Sequence, residues 1–296
     1  MVDIKQNPIG IYEKALPNKF DWREKAEIAK RAGYDFIEMS VDESDERLAR
    51  LNWSKSEREK IRRIFSANDL YINSMCLSGH RRFPFGSRYE NIREKAYDIM
   101  DKAIDLAGDL GIRNIQLAGY DVYYENSDEE TRKRFMEGLK YSARRAARAN
   151  IMLSIEIMDT EFLGTISRCL QYIEEINSPW LQIYPDLGNL TQWTDNPVLE
   201  LEKGFHHIVA IHLKDTKPGV FKCVPFGKGT VNFPELFNKL TELCYSGPIL
   251  VEMWADNEKE YTIEESIKEI RNARLWLEER MGGDFNNAGY IKEGSI

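Results

Sequence analysis

Four ionisable side chains in the second half of the chain interrupt or closely follow apolar stretches, and their types are those that bind cations. Successive members of the set are 30, 26 and 40 residues apart. Each interval fits one strand and the helix after it, so neighbouring parallel strands would bring all four side chains around one point. The four residues are Glu156, Asp186, His212 and Glu252.

Three carboxylates and one imidazole cannot share a buried site without a compensating charge, because like charges a few ångströms apart repel strongly. A carboxylate-rich set with one histidine suits Zn²⁺, Mn²⁺, Co²⁺ or Mg²⁺ and disfavours copper or iron–sulfur chemistry. We therefore predict one divalent metal ion at this point, with Zn²⁺ or Mn²⁺ favoured over Co²⁺ or Mg²⁺. The competing interpretation is that each residue is a solitary charge that caps a helix or forms a local ion pair.

Two glutamates in such a set also suggest acid–base chemistry at a carbon atom. A cation would polarise a carbonyl group and stabilise the enediolate that forms when the neighbouring proton leaves. Inversion of that carbon needs a base on one face and an acid on the other, so Glu156 and Glu252 are predicted to be catalytic and to exchange these roles with direction. One oxygen of each carboxylate can bind the ion while the other faces the substrate.

The elements that would hold these residues are short apolar runs that alternate with longer amphipathic segments. Eight strand-like runs lie at residues 8–12, 35–40, 71–77, 114–118, 152–158, 181–184, 208–213 and 249–254. A helix-like segment follows each run, at residues 22–32, 55–68, 89–110, 128–149, 165–176, 198–203, 234–244 and 263–279. Eight such units predict an α/β protein whose parallel sheet closes into a single (β/α)₈ TIM barrel.

An open, doubly wound sheet is the alternative fold, but no GxGxxG motif follows the first strand-like run. We expect the barrel to occupy residues 1–281. Residues 282–296 form a polar, glycine-rich tail that is predicted to be a loose extension or an oligomer contact.

Several longer strings carry a resemblance to a known family. They are GIYEKALP at 10–17, EMSVDE at 38–43, SMCLSGHRRFP at 74–84, QLAGYDVYY at 116–124, IYPDLGN at 183–189, HLKDTKPGVFK at 212–222 and VPFG at 224–227. Through them the sequence resembles the L-ribulose-5-phosphate (L-xylulose-5-phosphate) 3-epimerase family from about residue 8 to residue 281. Gly79 and Leu187 are mild variations on the family pattern and leave its chemistry intact.

The resemblance implies a xylose-isomerase-like barrel and a metal-dependent enzyme that interconverts L-xylulose 5-phosphate and L-ribulose 5-phosphate through an enediolate. It also implies a role in bacterial L-ascorbate or pentose breakdown. The metal ligands of the family fall on Glu156, Asp186, His212 and Glu252, the same four residues that the strand ends indicate.

Five further residues are predicted to bind substrate: Tyr12, His80, Arg81, Asn189 and Lys217. His80 and Arg81 follow the third strand-like run, where the imidazole would meet a hydroxyl group and the guanidinium a phosphate. Lys217 is one of three lysines after the seventh run, and a chain of negative net charge needs a local positive site for a phosphate. Asn189 would present its amide to a sugar hydroxyl, and Tyr12 ends the first run. A solvated basic turn and a turn-capping asparagine are the competing interpretations.

Charge separates the remaining classes of function. The 296 residues include 41 Lys and Arg against 49 Asp and Glu, a net charge of −8, which argues against binding to nucleic acid or an anionic membrane. An aldose–ketose isomerase and an epimerase of non-phosphorylated ketoses are the near alternatives. A metal-dependent abasic-site endonuclease would want a histidine-rich cluster, and the chain has four histidines. A non-catalytic sugar-binding protein would not need the two glutamates.

Location and partners are predicted from the same sequence. The N-terminus lacks the pattern of a signal peptide, and the longest apolar runs are far shorter than the ~20 residues that span a bilayer. The four cysteines form no CxxC pair, which indicates a reduced, cytoplasmic protein. We expect a small-molecule sugar phosphate as the partner, with no nucleic acid and no membrane. The aromatic content and the last helix are compatible with a homodimer.

Overall fold

The computed structural model describes residues 3–281, which form an eight-stranded parallel sheet surrounded by helices. The barrel strands are β1 Ile9–Tyr12, β2 Phe36–Ser40, β3 Tyr71–Leu77, β4 Asn114–Ala118, β5 Met152–Glu156, β6 Leu181–Tyr184, β7 Ile211–Leu213 and β10 Ile249–Val251. The strands β1 to β6 pair in chain order, and β10 pairs with both β1 and β7. Parallel bridges from Ile183 to Ile208 and from Asp186 to His212 connect β6 to β7. The prediction of an α/β barrel is confirmed.

Helices cover the outside of the sheet. They are α1 Trp22–Ala32, α2 Asp45–Leu48, α3 Lys55–Ala67, α4 Glu90–Leu110, α5 Glu129–Ala149, α6 Ile166–Ile176, α7 Leu187–Trp193, α8 Pro197–Gly204, α9 Phe233–Glu242 and α10 Ile263–Glu278. Local signals set their ends, as at α1, where Asp21 and Glu24 form a capping box and Gly33 stops the helix at φ +99°. None of the helices within residues 3–281 has the length and apolar character that crossing a membrane requires.

The two faces of the sheet bury different side chains. On β2, Ile37 and Met39 belong to the main apolar core, whereas Phe36 joins a separate cluster with Tyr12, Cys76 and Leu250. This alternation is the period-two pattern of a strand that is buried on both sides. The interior cluster also needs a glycine at position 10, because a Cβ atom there would overlap the Phe36 ring.

A hairpin follows β7 and was not predicted. It consists of β8 Asp215–Lys217 and β9 Val220–Val224, which pair antiparallel, with Gly219 at φ +73° in the turn between them. The carboxylate of Asp215 accepts hydrogen bonds from the backbone N–H groups of Gly227 at 2.9 Å and Gly229 at 2.8 Å. These bonds fix the segment that returns from the hairpin to α9. The predicted tail at 282–296 lies outside the described residues.

Candidate active site and metal centre

The four predicted metal ligands meet at the carboxyl ends of four barrel strands. Glu156 is the last residue of β5, Asp186 lies two residues beyond β6 and caps α7, His212 is the middle residue of β7, and Glu252 directly follows β10. One nitrogen or oxygen atom from each residue lies within 4.8 Å of the corresponding atoms of the other three. All four are buried, with at most 8% of any residue exposed. This grouping is the one that the spacing along the chain predicts.

His212 and Lys214 provide the positive charge inside this group. His212 Nδ1 lies 3.1 Å from Glu156 Oε1 and 3.6 Å from Glu252 Oε2. The ammonium of Lys214 lies 2.7 Å from Asp186 Oδ2 and 3.2 Å from Glu252 Oε2. Lys214 is one of the three lysines after the seventh apolar run that could bind a phosphate, but the structure buries it against the carboxylates instead.

The pKa values of these groups depart from their ordinary range because the groups are buried together. Burial raises the pKa of Glu156 and of Asp186, since it disfavours the ionised carboxylate. Burial also acts to raise the pKa of Glu252, but Lys214 and His212 outweigh it and hold that pKa below the usual value. For His212, burial acts to lower the pKa, and the nearby Glu38 carboxylate reverses the effect and raises it.

The donor set fits a divalent cation. Four buried carboxylates (those of Glu38, Glu156, Asp186 and Glu252) surround only one imidazole and one ammonium, so the group carries excess negative charge. Among residues 3–281, no donor forms an aligned hydrogen bond with Asp186 Oδ2 or Glu252 Oε2, although Lys214 is within ion-pair distance of both. Oxygen-rich ligation with one histidine is what Zn²⁺, Mn²⁺, Co²⁺ and Mg²⁺ accept.

Two of the predicted substrate-binding residues line the cavity above this group. Tyr12 lies on its wall, packed edge-on against Trp254 at 6.2 Å between ring centroids. Arg81 lies across the rings of Tyr120 and Tyr123, at 5.5 Å and 4.7 Å from their centroids. The stacking holds the guanidinium in one place, and no acceptor within residues 3–281 bonds its Nε. Arg81 therefore has hydrogen-bonding capacity to offer a ligand.

The structure does not bring His80 and Lys217 to the cavity, and we correct both assignments. His80 is buried, with its ring 4.6 Å from that of Phe85 and its Nε2 3.1 Å from the Ala96 carbonyl oxygen of α4. The single turn of 3₁₀ helix at Ser78–Arg81 explains the difference, because consecutive residues of a helix point in different directions. Lys217 is exposed on β8.

Asn189 is buried beside the ligand group rather than open to it. Its backbone N–H donates to Asp186 Oδ1 at 2.8 Å, and its side-chain amide donates to the Ile157 carbonyl oxygen at 2.9 Å. Its side-chain oxygen has no hydrogen-bond partner in the described part of the chain. Asn189 therefore helps to orient Asp186 through its backbone, and a contact between its side chain and a sugar hydroxyl stays a prediction.

Three charged residues that the predicted set leaves out belong to this region. Lys14 and Lys222 line the same cavity as Arg81. The spacing along the chain could not select Lys222 from the three lysines of its loop. Glu38 lies beneath His212, with Oε1 2.9 Å from the imidazole Nε2. The signal for Glu38 was a single charged residue in the middle of the otherwise uncharged run Phe36–Ser40.

Comparison with known proteins gives the class of fold first. Residues 26–278 match the family described as Xylose isomerase-like TIM barrel. Among solved structures, D-psicose 3-epimerase with D-fructose has a TM-score of 0.77 at 17% identity, covering 93% of this chain and 100% of that one. The 3-keto-D-glucoside 4-epimerase YcjR of E. coli has a TM-score of 0.74 at 19% identity with the same coverage. These likenesses show the fold.

Sequence relatives define the family more narrowly. The L-ribulose-5-phosphate 3-epimerase UlaE of Escherichia coli (strain K12) is 50% identical over 277 residues, which cover 94% of this chain and 96% of that protein. The chain therefore belongs to the L-ribulose-5-phosphate 3-epimerase family, and it is an isomerase. The resemblance stated from the sequence strings is confirmed.

Proposed function

We propose that this chain is a metal-dependent 3-epimerase that interconverts L-xylulose 5-phosphate and L-ribulose 5-phosphate. The observation that carries the proposal is the group of Glu156, Asp186, His212 and Glu252, whose ligand atoms lie within 4.8 Å of one another. It occurs in a chain that is half identical to a relative named for this reaction. The proposal places the protein in the cytoplasm, where it would act in L-ascorbate or pentose breakdown, and all four of its cysteines are free.

The same four residues would hold one divalent ion, with Zn²⁺ or Mn²⁺ favoured. When bound, the ion supplies Lewis-acid polarisation of the ketose carbonyl group. The chain supplies the rest of the ligand environment. Asn189 holds the Asp186 carboxylate through a backbone N–H, and Lys214 contacts both Asp186 and Glu252, so these side chains are oriented before any ligand arrives.

Proton transfer at C3 is assigned to Glu156 and Glu252. The two residues reach the site from different sides of the barrel, with β6 and β7 between them in one direction and β1 to β4 in the other. In one direction of the reaction, one glutamate removes the C3 proton and the other returns a proton to the opposite face. In the reverse direction the roles exchange. Both carboxylates are buried at the cavity that they line, so each would exchange its proton with solvent between turnovers and not during the transfer.

The cationic wall of the cavity supports a phosphorylated substrate over a free ketose. Lys14, Arg81 and Lys222 line the cavity that also contains Glu156 and Glu252. Arg81 presents the planar fork that binds phosphate oxygens in pairs, and the two lysines add point charges. Since Lys14 is also ion-paired with Asp42 at 2.6 Å, Arg81 and Lys222 would supply most of the positive charge that meets a dianion. Tyr12, which lines this cavity, would contact the sugar.

The same observations weigh against the other class of function. A histidine-rich, multi-metal nuclease centre is absent from residues 3–281, where the one candidate metal group has a single histidine. The proposal therefore has a small-molecule sugar phosphate as its partner, and neither a nucleic acid nor a membrane. A homodimer stays a prediction.

Metal removal tests the proposal. Protein treated with a chelator should lose turnover of L-xylulose 5-phosphate and regain it when Zn²⁺ or Mn²⁺ is restored. Unphosphorylated L-xylulose should be turned over far less efficiently by the same preparation. Full turnover by metal-free protein, or equal kcat/KM for both sugars, would contradict the assignment.

A further inference from the structure

We infer that Glu38 is a positioning residue that holds the His212 imidazole with Nδ1 toward the metal site and the Nε2 proton on the opposite side. The inference rests on the proposed function, because it gives Glu38 a role toward the metal that the proposal assigns to His212. Glu38 does not itself belong to the group of candidate ligands.

The two ring nitrogens of His212 face different partners. Nδ1 lies 3.1 Å from Glu156 Oε1 and 3.6 Å from Glu252 Oε2, so it points into the ligand group. Nε2 lies 2.9 Å from Glu38 Oε1, on the other side of the ring. Since the two nitrogens are separated by the ring, a cation bound at Nδ1 and the Glu38 carboxylate would contact the imidazole from opposite sides.

Glu38 is itself held firmly in place. It lies on β2 and is fully buried, and its second oxygen accepts a hydrogen bond from Ser74 Oγ at 2.6 Å. Ser74 is its direct neighbour in the register of β2 and β3. The His212 ring is in turn packed against Tyr184, with 4.4 Å between ring centroids. The His212 imidazole is therefore held in one orientation by its contact with Glu38, which Ser74 fixes in turn, and by packing against Tyr184.

This orientation decides which tautomer is available for metal binding. A histidine that binds a metal through Nδ1 must carry its remaining proton on Nε2. The Glu38 carboxylate stabilises that tautomer, because it accepts the Nε2 proton in a hydrogen bond. It also makes the imidazole a stronger donor to the ion, and removal of such a partner typically weakens metal binding about 10-fold to 100-fold.

Metal affinity measured on purified protein tests the inference without reference to turnover. Chelator competition would give the dissociation constants for Zn²⁺ and Co²⁺ in the wild type, Glu38→Gln and Glu38→Ala. We expect roughly 10-fold weaker binding in Glu38→Gln, which keeps an acceptor but loses the charge, and up to about 100-fold in Glu38→Ala. The visible spectrum of bound Co²⁺ should change as well, since it reports on the coordination geometry.

Glu200→Gln is the matched control. Glu200 is also a buried glutamate that accepts hydrogen bonds from a serine, at 2.6 Å from Ser167 Oγ and 2.7 Å from its backbone nitrogen, but it lies on α8. This variant should keep the wild-type affinity and Co²⁺ spectrum, which separates loss of the Glu38 contact from a general effect of neutralising a buried glutamate.

Two different failures can be told apart. If folded Glu38→Gln binds metal as tightly as the wild type with an unchanged Co²⁺ spectrum, the role given to Glu38 is overturned and the proposed function stands. If the wild type epimerises its substrate without binding any metal, the proposed function itself fails. Should Glu38→Ala fail to fold, Glu38→Gln decides the question, and circular dichroism identifies which variants are folded.

Discussion

At the scale of single residues, the position of a side chain on a short turn decides whether it lines the cavity or packs in the interior. His80 and Arg81 are adjacent in the 3₁₀ turn after β3, yet the imidazole is buried against α4 and the guanidinium lines the cavity. We therefore expect substitutions of the two residues to change different properties. His80 should govern stability, and Arg81 should govern substrate affinity.

Stability should depend on pH through His80. Burial lowers the pKa of His80 to about 4, below the ordinary value of 6.5, because the neutral ring is the form that the fold accommodates. The unfolded chain therefore takes up a proton first, and stability that is fully present above pH 6.5 falls as the pH drops toward 4. The loss should be about 3 kcal/mol. Urea unfolding at pH 7.5 and pH 4.5 gives the slope of the free energy of unfolding against pH. This slope should be smaller in His80→Gln than in the wild type.

His206→Gln is the control for that experiment, because His206 is exposed at the other end of the barrel. It should keep the wild-type slope. An unchanged slope in His80→Gln would mean that the acid sensitivity comes from other groups.

Arg81 should contribute to recognition of phosphate. Arg81→Gln removes a charged donor that the tyrosine rings hold at the cavity, so the KM for L-xylulose 5-phosphate should rise about 10-fold to 100-fold, as expected for a charge-assisted hydrogen bond. Turnover of unphosphorylated L-xylulose should change little. Lys217→Gln, a change of an exposed lysine outside the cavity, should leave both substrates unaffected, and an equal effect of the two variants would contradict the assignment.

At the scale of elements, the hairpin β8–β9 forms the part of the site that the strand–helix pattern does not contain. Lys222 is carried on β9, and the segment after it is tied back to Asp215 by the N–H groups of Gly227 and Gly229. The position of Lys222 in the cavity therefore depends on the Asp215 carboxylate, which is not one of the predicted metal ligands.

Removal of that carboxylate should loosen the hairpin. Asp215→Ala leaves the backbone N–H groups of Gly227 and Gly229, and those of Thr216 and Val231, without their carboxylate acceptor, so we expect a loss of roughly 1–3 kcal/mol in the free energy of unfolding, measured with urea. Trypsin should cleave more rapidly after Lys222 and Lys228, the two lysines of residues 217–228 that are not followed by proline. Wild-type cleavage and stability in Asp215→Ala would show that the hairpin is held by other contacts.

Much of this architecture was predictable from the sequence, because period-two and helical patterns repeat eight times. The ligand group was predictable as well, since each of its members lies within or at most two residues beyond a barrel strand, in four successive strand–helix units. The helix α7 was missed, because Asp186-Leu-Gly-Asn189 has the composition of a turn. The hairpin was missed because Pro218 and Gly219 divide it into strands too short to show a pattern. Side-chain direction, as at His80, depends on packing that no local pattern encodes.

At the scale of the whole molecule, the fold contains two clusters of buried charged residues, one at the candidate active site and one that contributes to stability. Beside the ligand group, Glu13 at the end of β1 is fully buried and pairs with Lys25 at 3.2 Å, Arg47 at 2.8 Å and Arg50 at 2.6 Å. These ion pairs connect β1 to α1, to α2 and to the turn after α2. This second cluster contains an excess of positive charge and has no place in the proposed reaction.

Neutralisation of Glu13 should destabilise the entire fold. Burial acts to raise the pKa of Glu13, but Arg50 and Lys25 outweigh it and lower the pKa to about 2. The stabilising effect is therefore present above the ordinary pKa of 4.5 and is lost as the pH falls toward 2. Glu13→Gln removes the carboxylate that pairs with buried Lys25 and Arg50, while Arg47 keeps Asp42 at 3.6 Å, and should cost roughly 3–5 kcal/mol in urea unfolding at pH 7. A loss below 1 kcal/mol would show that solvent reaches the cluster.

In the proposed reaction, Glu156 and Glu252 transfer the C3 proton of a pentulose phosphate. The most direct measurement is NMR of the metal-loaded protein with L-xylulose 5-phosphate in D₂O, with Glu156→Gln as the inactive reference. We predict deuterium at C3 together with formation of L-ribulose 5-phosphate, and neither in the variant. Deuterium at C1 with formation of an aldose, or no exchange at any carbon after metal loading, would contradict the account.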